Sequence, residues 1–349
     1  MIAPLRPPHT HQPLVSFVIP CYNAERWISH AVLSCLEQTY RPIEIIVIDD
    51  GSTDRSRDIL ASYSRVITWE TGPNRGGNVA RNRGFALAHG TYIQFLDADD
   101  YLLPHKTAAH VAALEQSGAG LVWSDFQHRY EYPDGTHILT APLNRAPPTT
   151  DMLAALLSPW WVVPVAILWR REAVVQAGGW DVQLDMVQDK AILLAAALAG
   201  VTFHYQPGCV GVYRKYGNVT VSTKNQHRHT RTYYRILQQA AHRLTHEGRL
   251  TATYQQALAA SYLHLARKVY DLDRPLFTLL IAEAHAAAPH LRGVQVNYIS
   301  ARHRLAHQIF GPVATDVIVS HRRTLTRQLG QWRNPPPRQP RSHEEAHVT

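Results

Sequence analysis

Two groups of aspartates follow two short apolar runs, and their crowding is the first chemical signal in the chain. Asp49 and Asp50 come directly after Ile43–Ile48, and Asp97, Asp99 and Asp100 after Thr91–Leu96. Carboxylates set this closely repel one another unless a cation sits among them. An Asp-x-Asp in a tight loop can present oxygens to a hard divalent ion such as Mg²⁺ or Mn²⁺. That ion would bridge a diphosphate and take up the charge that develops as it leaves. Aspartate in loops more often forms turns and caps helices. Two such sets at matching positions favour the ligand reading.

These positions have meaning because of the elements that must carry them. Val15–Pro20 and Ile43–Ile48 are short, continuous and apolar, the pattern of buried strands. Arg65–Trp69 and Thr91–Leu96 read as two more. Helical spacing fills 24–37 (Trp27, Ile28, Ala31, Val32, Cys35) and Asn78–His89. Alternation at this short spacing predicts βαβ units, a mostly parallel sheet flanked by helices. Ligands of open α/β sheets bind outside the carboxyl ends of the strands, which is where the aspartates fall. From about 119 the rhythm loosens. Strands are expected at 121–124, 162–169, 201–205 and 209–214, helices at 151–157, 171–177 and 188–199, and a hairpin at Pro133–Gly135.

Beyond residue 225 the pattern becomes long helices, with a start at Asp273–Pro275. The charge changes there too. The chain has 349 residues and a net charge of +8, but residues 225–349 hold 17 Lys and Arg against 7 Asp and Glu. The preceding 224 residues hold 18 against 20. The basic character therefore belongs to the last third and says nothing of the acidic strand ends. Nucleic-acid binding is not expected, since no reader motif or stacking series accompanies the charge. No GxxxxGK[ST] or GxGxxG is present. Three dispersed cysteines suit a reducing compartment and rule out a disulfide framework. The Pro- and His-rich start has no apolar signal core, and the apolar runs are shorter than the ~20 residues of a membrane span. These features lead us to expect a cytoplasmic protein, at most peripheral at the inner face of a membrane.

The order of motifs from 14 to 224 closely resembles the catalytic domain of family 2 glycosyltransferases. The segments are Val-Ser-Phe-Val-Ile-Pro-Cys-Tyr-Asn at 15–23, Ile-Asp-Asp-Gly-Ser-Thr-Asp at 48–54, and Asn-Arg-Gly-Gly-Asn-Val-Ala-Arg-Asn-Arg-Gly at 74–84. Then follow the stretch 88–100 ending in Asp-Ala-Asp-Asp, Gly-Gly-Trp-Asp at 178–181, Gln188-Asp189 and Tyr213-Arg214. The resemblance implies a GT-A fold followed by an α-helical C-terminal region, and inversion at the anomeric carbon. It divides the chain into a flexible arm (1–13), the GT-A domain (14–224), a helical region (225–330) and a disordered tail (331–349).

The resemblance also implies roles. Pro20 and Tyr22 would lie against the nucleobase, and Asp50 would accept from the N3–H of uracil or thymine. Arg81 would face the diphosphate, Asp97 the ribose or metal, and Asp99 would bind the divalent metal (Mn²⁺ or Mg²⁺). Asp100 would be a helix cap or an outer partner. Asp189 would be the general base that takes the acceptor's proton; as a residue alone it reads as a helix N-cap. Trp180, where Phe is common, and Lys215 are candidate acceptor or phosphate contacts, Trp180 through an aromatic face open to a sugar or else through core packing.

Two departures stand out. Gln188 replaces a frequent Glu, and Lys215-Tyr216 occupies the stretch where a metal-reaching His often stands. The expected function is metal-dependent transfer of a sugar from a UDP- or dTDP-sugar to a glycan or lipid-linked acceptor. The alternative is a non-catalytic nucleotide-sugar or glycan binder of the same fold. The basic region would sit near anionic headgroups or against a partner enzyme, or else be a plain solvated face.

Overall fold

Continuous β-branched runs bury both faces of a strand, and the first half of the protein is built on that property. The computed structural model describes residues 12–132, 134–216 and 225–289. Strands β1 (Val15–Cys21), β2 (Ile43–Asp49), β3 (Thr68–Thr71) and β4 (Tyr92–Phe95) lie in the order β3-β2-β1-β4, all parallel. Helices α1 (Ile28–Leu36), α2 (Ser56–Ser62) and α3 (Gly77–Leu87) connect them. Phe17, Val18, Ile19, Ile46 and Val47 are sealed in the core, each worth roughly 1.5–3 kcal/mol of apolar burial.

Helix α3 lies unusually close to the sheet. A methyl group added at Gly84 would stand 2.5 Å from Val18 Cγ1 and 3.4 Å from Ile48 Cγ1. That proximity matters because α3 carries Asn78 and Arg81 to the carboxyl ends of the strands.

Beyond β4 come β5 (Tyr101–Leu102), α4 (Lys106–Ser117), β6 (Leu121–Glu131), β7 (His137–Leu139) and α5 (Met152–Leu157). After a 3₁₀ turn at Pro164–Ala166 follow β8 (Ile167–Arg170), α6 (Arg171–Gln176), α7 (Gln188–Leu198) and β9 (Phe203–Tyr216). The sheet continues β4-β8-β6-β9-β5, and β7 pairs with β6 as the expected hairpin. β8 runs antiparallel to both β4 and β6, whereas β9 is parallel to β6. The sheet is thus parallel over one half and mixed over the other. The parallel expectation fails where the βαβ rhythm fails, because an antiparallel partner needs no crossover helix. The two strands expected at 201–205 and 209–214 are one, β9. Its register against β6 shifts at Trp123/Asp125 and again at Asp125/Gln127, and such bulges bend a strand without ending it.

Helices α8 (Gln226–His246), α9 (Ala252–Val269) and α10 (Arg274–Ala287) cover α5 and α7. Asn225, Thr251 and Asp273 cap them, their side chains accepting from the backbone N–H groups of Arg228, Tyr254 and Leu276. Tyr233, Ile236, Leu237, Ala240 and Leu244 form the buried stripe of α8. The Ser261 hydroxyl donates to the Leu157 carbonyl at 2.6 Å and seats α9 on α5. The half-exposed His227 of α8 places its Nε2 2.5 Å from Asp273 Oδ2, the cap of α10. No described helix is long and apolar enough to cross a membrane. The division of the chain at residue 224 is kept as a proposal. Residues 1–11 of the arm, the helical stretch expected after 289 and the tail at 331–349 lie outside the described residues.

Gly84→Ala should lower stability by about 1–3 kcal/mol, since the added methyl must push α3 off Val18. A urea midpoint equal to that of the wild type would show that the helix moves away freely.

Candidate functional site

The carboxyl ends of β1, β2 and β4 form a ledge, and side-chain-to-backbone bonds tie its loops together. Asp50 donates its backbone N–H to the Cys21 carbonyl at 2.8 Å. Its two carboxylate oxygens accept from the N–H groups of Arg75 and Gly76, each at 2.8 Å. Gly51 supports this turn with φ +79°, and a Cβ there would lie 2.8 Å from the Asn74 nitrogen. Asn23, itself at φ +49°, accepts from Thr53 N–H at 2.8 Å. Asp49 is different. It is sealed in, accepting from the Thr71 hydroxyl at 2.6 Å and from Ser52 N–H at 3.2 Å. The plain turn-forming role holds for Asp49, while Asp50 keeps free lone pairs toward the ledge. Pro20, paired with Ile48 in the sheet, and the half-exposed Tyr22 stand on the same edge.

Arg81 lies at the centre of the ledge, although it is almost wholly buried. Its Nη2 donates to Asp97 Oδ1 at 2.5 Å, and its Nη1 to Asn78 Oδ1 at 3.1 Å and to Gln188 Oε1 at 3.2 Å. The guanidinium lies 4.5 Å from the centroid of the Trp180 ring. Its Nε has no partner among the described residues. Burial works against the charge, but Asp97 and then Asp189 outweigh it and hold the guanidinium ionised. Gln188, where a Glu is frequent, keeps the hydrogen bond to Arg81 without adding another negative charge.

Trp180 corrects an expectation. Its ring is buried, edge-on to Phe95 at 5.1 Å and covered by Arg81, so it offers no open face to a sugar. Core packing is its role. Lys215, in contrast, is half-buried beside Tyr130 and Tyr213, its ammonium 5.6 and 5.7 Å from their ring centroids. Burial lowers its pKa.

Three further carboxyl groups differ by environment. Asp99 is pushed up to about 6, first by burial and then by the charge of Asp97, while Arg214 and the Tyr216 hydroxyl pull it back. Asp100 is sealed in; its Oδ1 accepts Arg214 N–H at 2.8 Å and its Oδ2 has no partner among the described residues. It caps no helix. Instead it ties the ledge to β9, and burial with Asp99 and Asp97 raises its pKa well above the usual range. Asp189 is pushed up to about 7 by burial and then by Asp97, with Arg81 acting in the opposite sense. Apolar Pro164, Ile167, Trp169 and Leu193 surround it.

Asp189 does not cap its helix. Val187 occupies the cap position in the left-handed region (φ +61°, ψ +23°), which places Asp189 within the first turn. Its carboxylate accepts no hydrogen bond from a described residue. A β-branched residue in that region is strained, and the strain falls two residues before Asp189.

Asp97 and Asp99 offer oxygens to a hard cation. Among the described residues no three His, Cys, Asp or Glu side chains converge as a ready metal cage. Mg²⁺ is commonly held by one or two carboxylates together with substrate phosphates. The pair therefore fits a cation completed by a diphosphate, and such a charge would offset the burial and the Asp97 field that raise the pKa of Asp99. Two contributors were not singled out from the sequence: Arg214, whose guanidinium lies 4.1 Å from the Trp27 centroid, and Tyr216, which bonds Asp99. Both stand in quoted segments without a role of their own there, and only their pairing with Asp99 and Asp100 distinguishes them.

With the geometry described, comparison with known proteins becomes informative. Residues 16–175 match the profile of glycosyl transferase family 2. In this stretch the chain is similar to family 2 glycosyltransferases. An uncharacterized glycosyltransferase of Nostoc sp., alr2836, is 32% identical over 197 residues, covering 53% of this chain and 60% of that protein. The Escherichia coli protein named UDP-Glc:alpha-D-GlcNAc-diphosphoundecaprenol beta-1,3-glucosyltransferase WfaP is 38% identical over 115 residues, covering 32% of this chain and 46% of that one. The chain therefore spans less than two thirds of the length of these curated relatives. Among solved structures, S. aureus TarS 1-349 in complex with UDP-GlcNAc superposes with a TM-score of 0.58 at 16% identity, covering 90% of this chain and 92% of that one. The shared feature is the fold, GT-A with a helical C-terminal region.

Val187→Gly should change stability by less than about 1 kcal/mol, because relief of roughly 1–3 kcal/mol of backbone strain offsets the lost isopropyl packing and added chain entropy. Thermal melts check this, and a large destabilisation would mean that the left-handed backbone costs nothing.

Proposed function

We propose that the protein is an inverting, metal-dependent glycosyltransferase acting on a UDP- or dTDP-sugar and on a hydroxyl of a glycan or lipid-linked acceptor. The observation that carries this reading is the contrast between Arg81 and Asp189. One ledge holds a buried guanidinium bonded to the strand-end carboxylate Asp97 and, within its field, the Asp189 carboxyl with a pKa pushed up to about 7. The names of WfaP and of the TarS complex support a UDP-sugar donor.

In this reading Asp50, with its free lone pairs, accepts from the base N3–H, and Pro20 and Tyr22 lie against the base. Asp97 and Asp99 hold a divalent ion with the diphosphate, and the ion, when bound, supplies positive charge to the departing diphosphate. Arg81 adds its own charge on that side. Asp189 takes the proton of the acceptor hydroxyl as that oxygen bonds to the anomeric carbon. The bond from that carbon to the diphosphate oxygen breaks, and its electrons leave with the nucleoside diphosphate. A base with a pKa near the working pH is suited to this step. The basic C-terminal region is the part proposed to lie against anionic headgroups at the inner membrane face, consistent with a cytoplasmic protein.

Asp189→Asn should keep donor affinity and lower transfer by at least about 10²-fold, as loss of a positioned base does. Nucleoside-diphosphate release with a panel of UDP- and dTDP-sugars and acceptors measures it, and unchanged activity would sink the assignment and favour a non-catalytic binder. Because Asp189 acts only when deprotonated, wild-type kcat should rise with pH through an acid limb near 7. A flat profile from pH 6 to 8 counts against that role. EDTA should abolish release and Mn²⁺ restore it, and Asp99→Ala should weaken donor binding. Full activity in EDTA would exclude the metal.

A further inference from the structure

Strand geometry sorts β6 and β9 into two faces. Arg129, Glu131 and Arg214 fall on one, with Arg214 Nε 3.5 Å and Arg129 Nε 2.7 Å from Glu131. His128 pairs with Tyr213 and Tyr130 with Lys215 across the ladder, so these four share the opposite face. On that face the rings form an unbroken row. Trp161 lies 5.8 Å from Phe126, Phe126 lies 5.6 Å from His128, and His128 lies 5.6 Å from Tyr213 and 5.8 Å from Tyr130.

The two ends of the row reach solvent. Tyr130 is 38% exposed at one end, and Trp161 is 39% exposed at the other with the Arg145 guanidinium 4.9 Å from its ring centroid, over a floor made by the sealed Phe126. Its inner flank meets the ledge. The Tyr213 hydroxyl is buried and lies in the fields of Asp100, Asp97, Asp189 and Asp99, which, after burial, raise its pKa. His128 is 8% exposed, and its Nε2 has no partner among the described residues. Burial, Lys215 and Arg145 lower its pKa to about 4, so the ring is neutral at pH 7.

We propose that this row is the acceptor subsite, on which the C–H face of a pyranose ring of a glycan acceptor lies with a hydroxyl directed toward Asp189. The inference deepens the proposed transfer reaction and rests on it for the role of Asp189. Aromatic faces carry partial negative charge and sugar C–H groups partial positive charge, so the two stack. A neutral, desolvated imidazole with an unpaired nitrogen can exchange a hydrogen bond with a ring hydroxyl. Lys215 Nζ bonds to no described residue and stands between the two tyrosines, where it donates to the same sugar. The row begins at the ledge and leads out to solvent, as an acceptor longer than one sugar requires.

The test uses the full chain, fluorescently labelled, on a glycan array in the presence of UDP, followed by titration of the best-bound glycan. Tyr130→Ala and Trp161→Ala should each weaken that glycan about tenfold, with Tyr130→Phe and Trp161→Phe within about threefold of wild type. UDP affinity should be unchanged throughout. Alanine variants that bind the glycan as wild type does overturn the subsite, as does a wild type that binds UDP but no glycan. A parallel loss of UDP affinity also overturns it, assigning the rings to the fold. Lost binding to anionic or neutral lipid vesicles with glycan binding intact would overturn it in favour of a lipid contact. A wild type that binds glycan through these rings but no UDP or UDP-sugar supports the subsite while refuting the donor reading.

Discussion

The buried guanidinium of Arg81 is the contact on which the ledge depends. It joins the end of β4 through Asp97, its own helix through Asn78 and the start of α7 through Gln188. Four carboxyl groups, Asp97, Asp99, Asp100 and Asp189, crowd the same region, and burial raises the pKa of Asp99, Asp100 and Asp189. One desolvated cation cannot neutralise them all. The result is a graded set: Asp97 paired, Asp99 about 6 and Asp189 about 7. Buried pairs of this kind are weak evidence for stability. Their value here is arrangement, because they hold three separate elements in one geometry.

Around that centre, rigidity is distributed unevenly. The nucleotide side is held by backbone N–H groups bonded to Asp50 and by the Asn23 and Ser52 contacts between the loops after β1 and β2. Such preorganised groups need not reorganise when charge develops. The opposite side is set by Val187 and the apolar wall around Asp189, which withholds hydrogen bonds instead of supplying them. The alternation of β9 then divides its neighbours: Arg214 serves the fold behind the ledge, while Tyr213 and Lys215 face the aromatic row. A one-residue slip would exchange those roles.

Much of this was legible in advance. The parallel strands, their helices and the aspartates at their ends follow from apolar runs and turn residues, which are local signals. The long C-terminal helices and the Asp273 cap were equally local. Misreadings occurred where a residue's neighbours are distant in sequence. Trp180 reads as an available aromatic until Phe95 and Arg81 enclose it. Asp189 reads as a cap until Val187 takes that position. Asp49 and Asp50 look alike, yet one points into the core. Phe126, His128 and Tyr130 resemble any half-buried strand, and only β9 and Trp161 turn them into a row.

The sequence by itself determined the element order, the strand ends that carry the acidic groups and the split between a near-neutral domain and a basic extension. Those properties depend on residue type and spacing, which act over a few positions. The tertiary structure alone decided which carboxyl groups are paired, which stay protonated near neutrality, how the sheet becomes mixed beyond β4 and which aromatic faces remain open. Desolvation and charge coupling depend on what surrounds a group in space, and for Asp189 that surrounding comes from Arg81 and Asp97, about a hundred residues earlier in the chain.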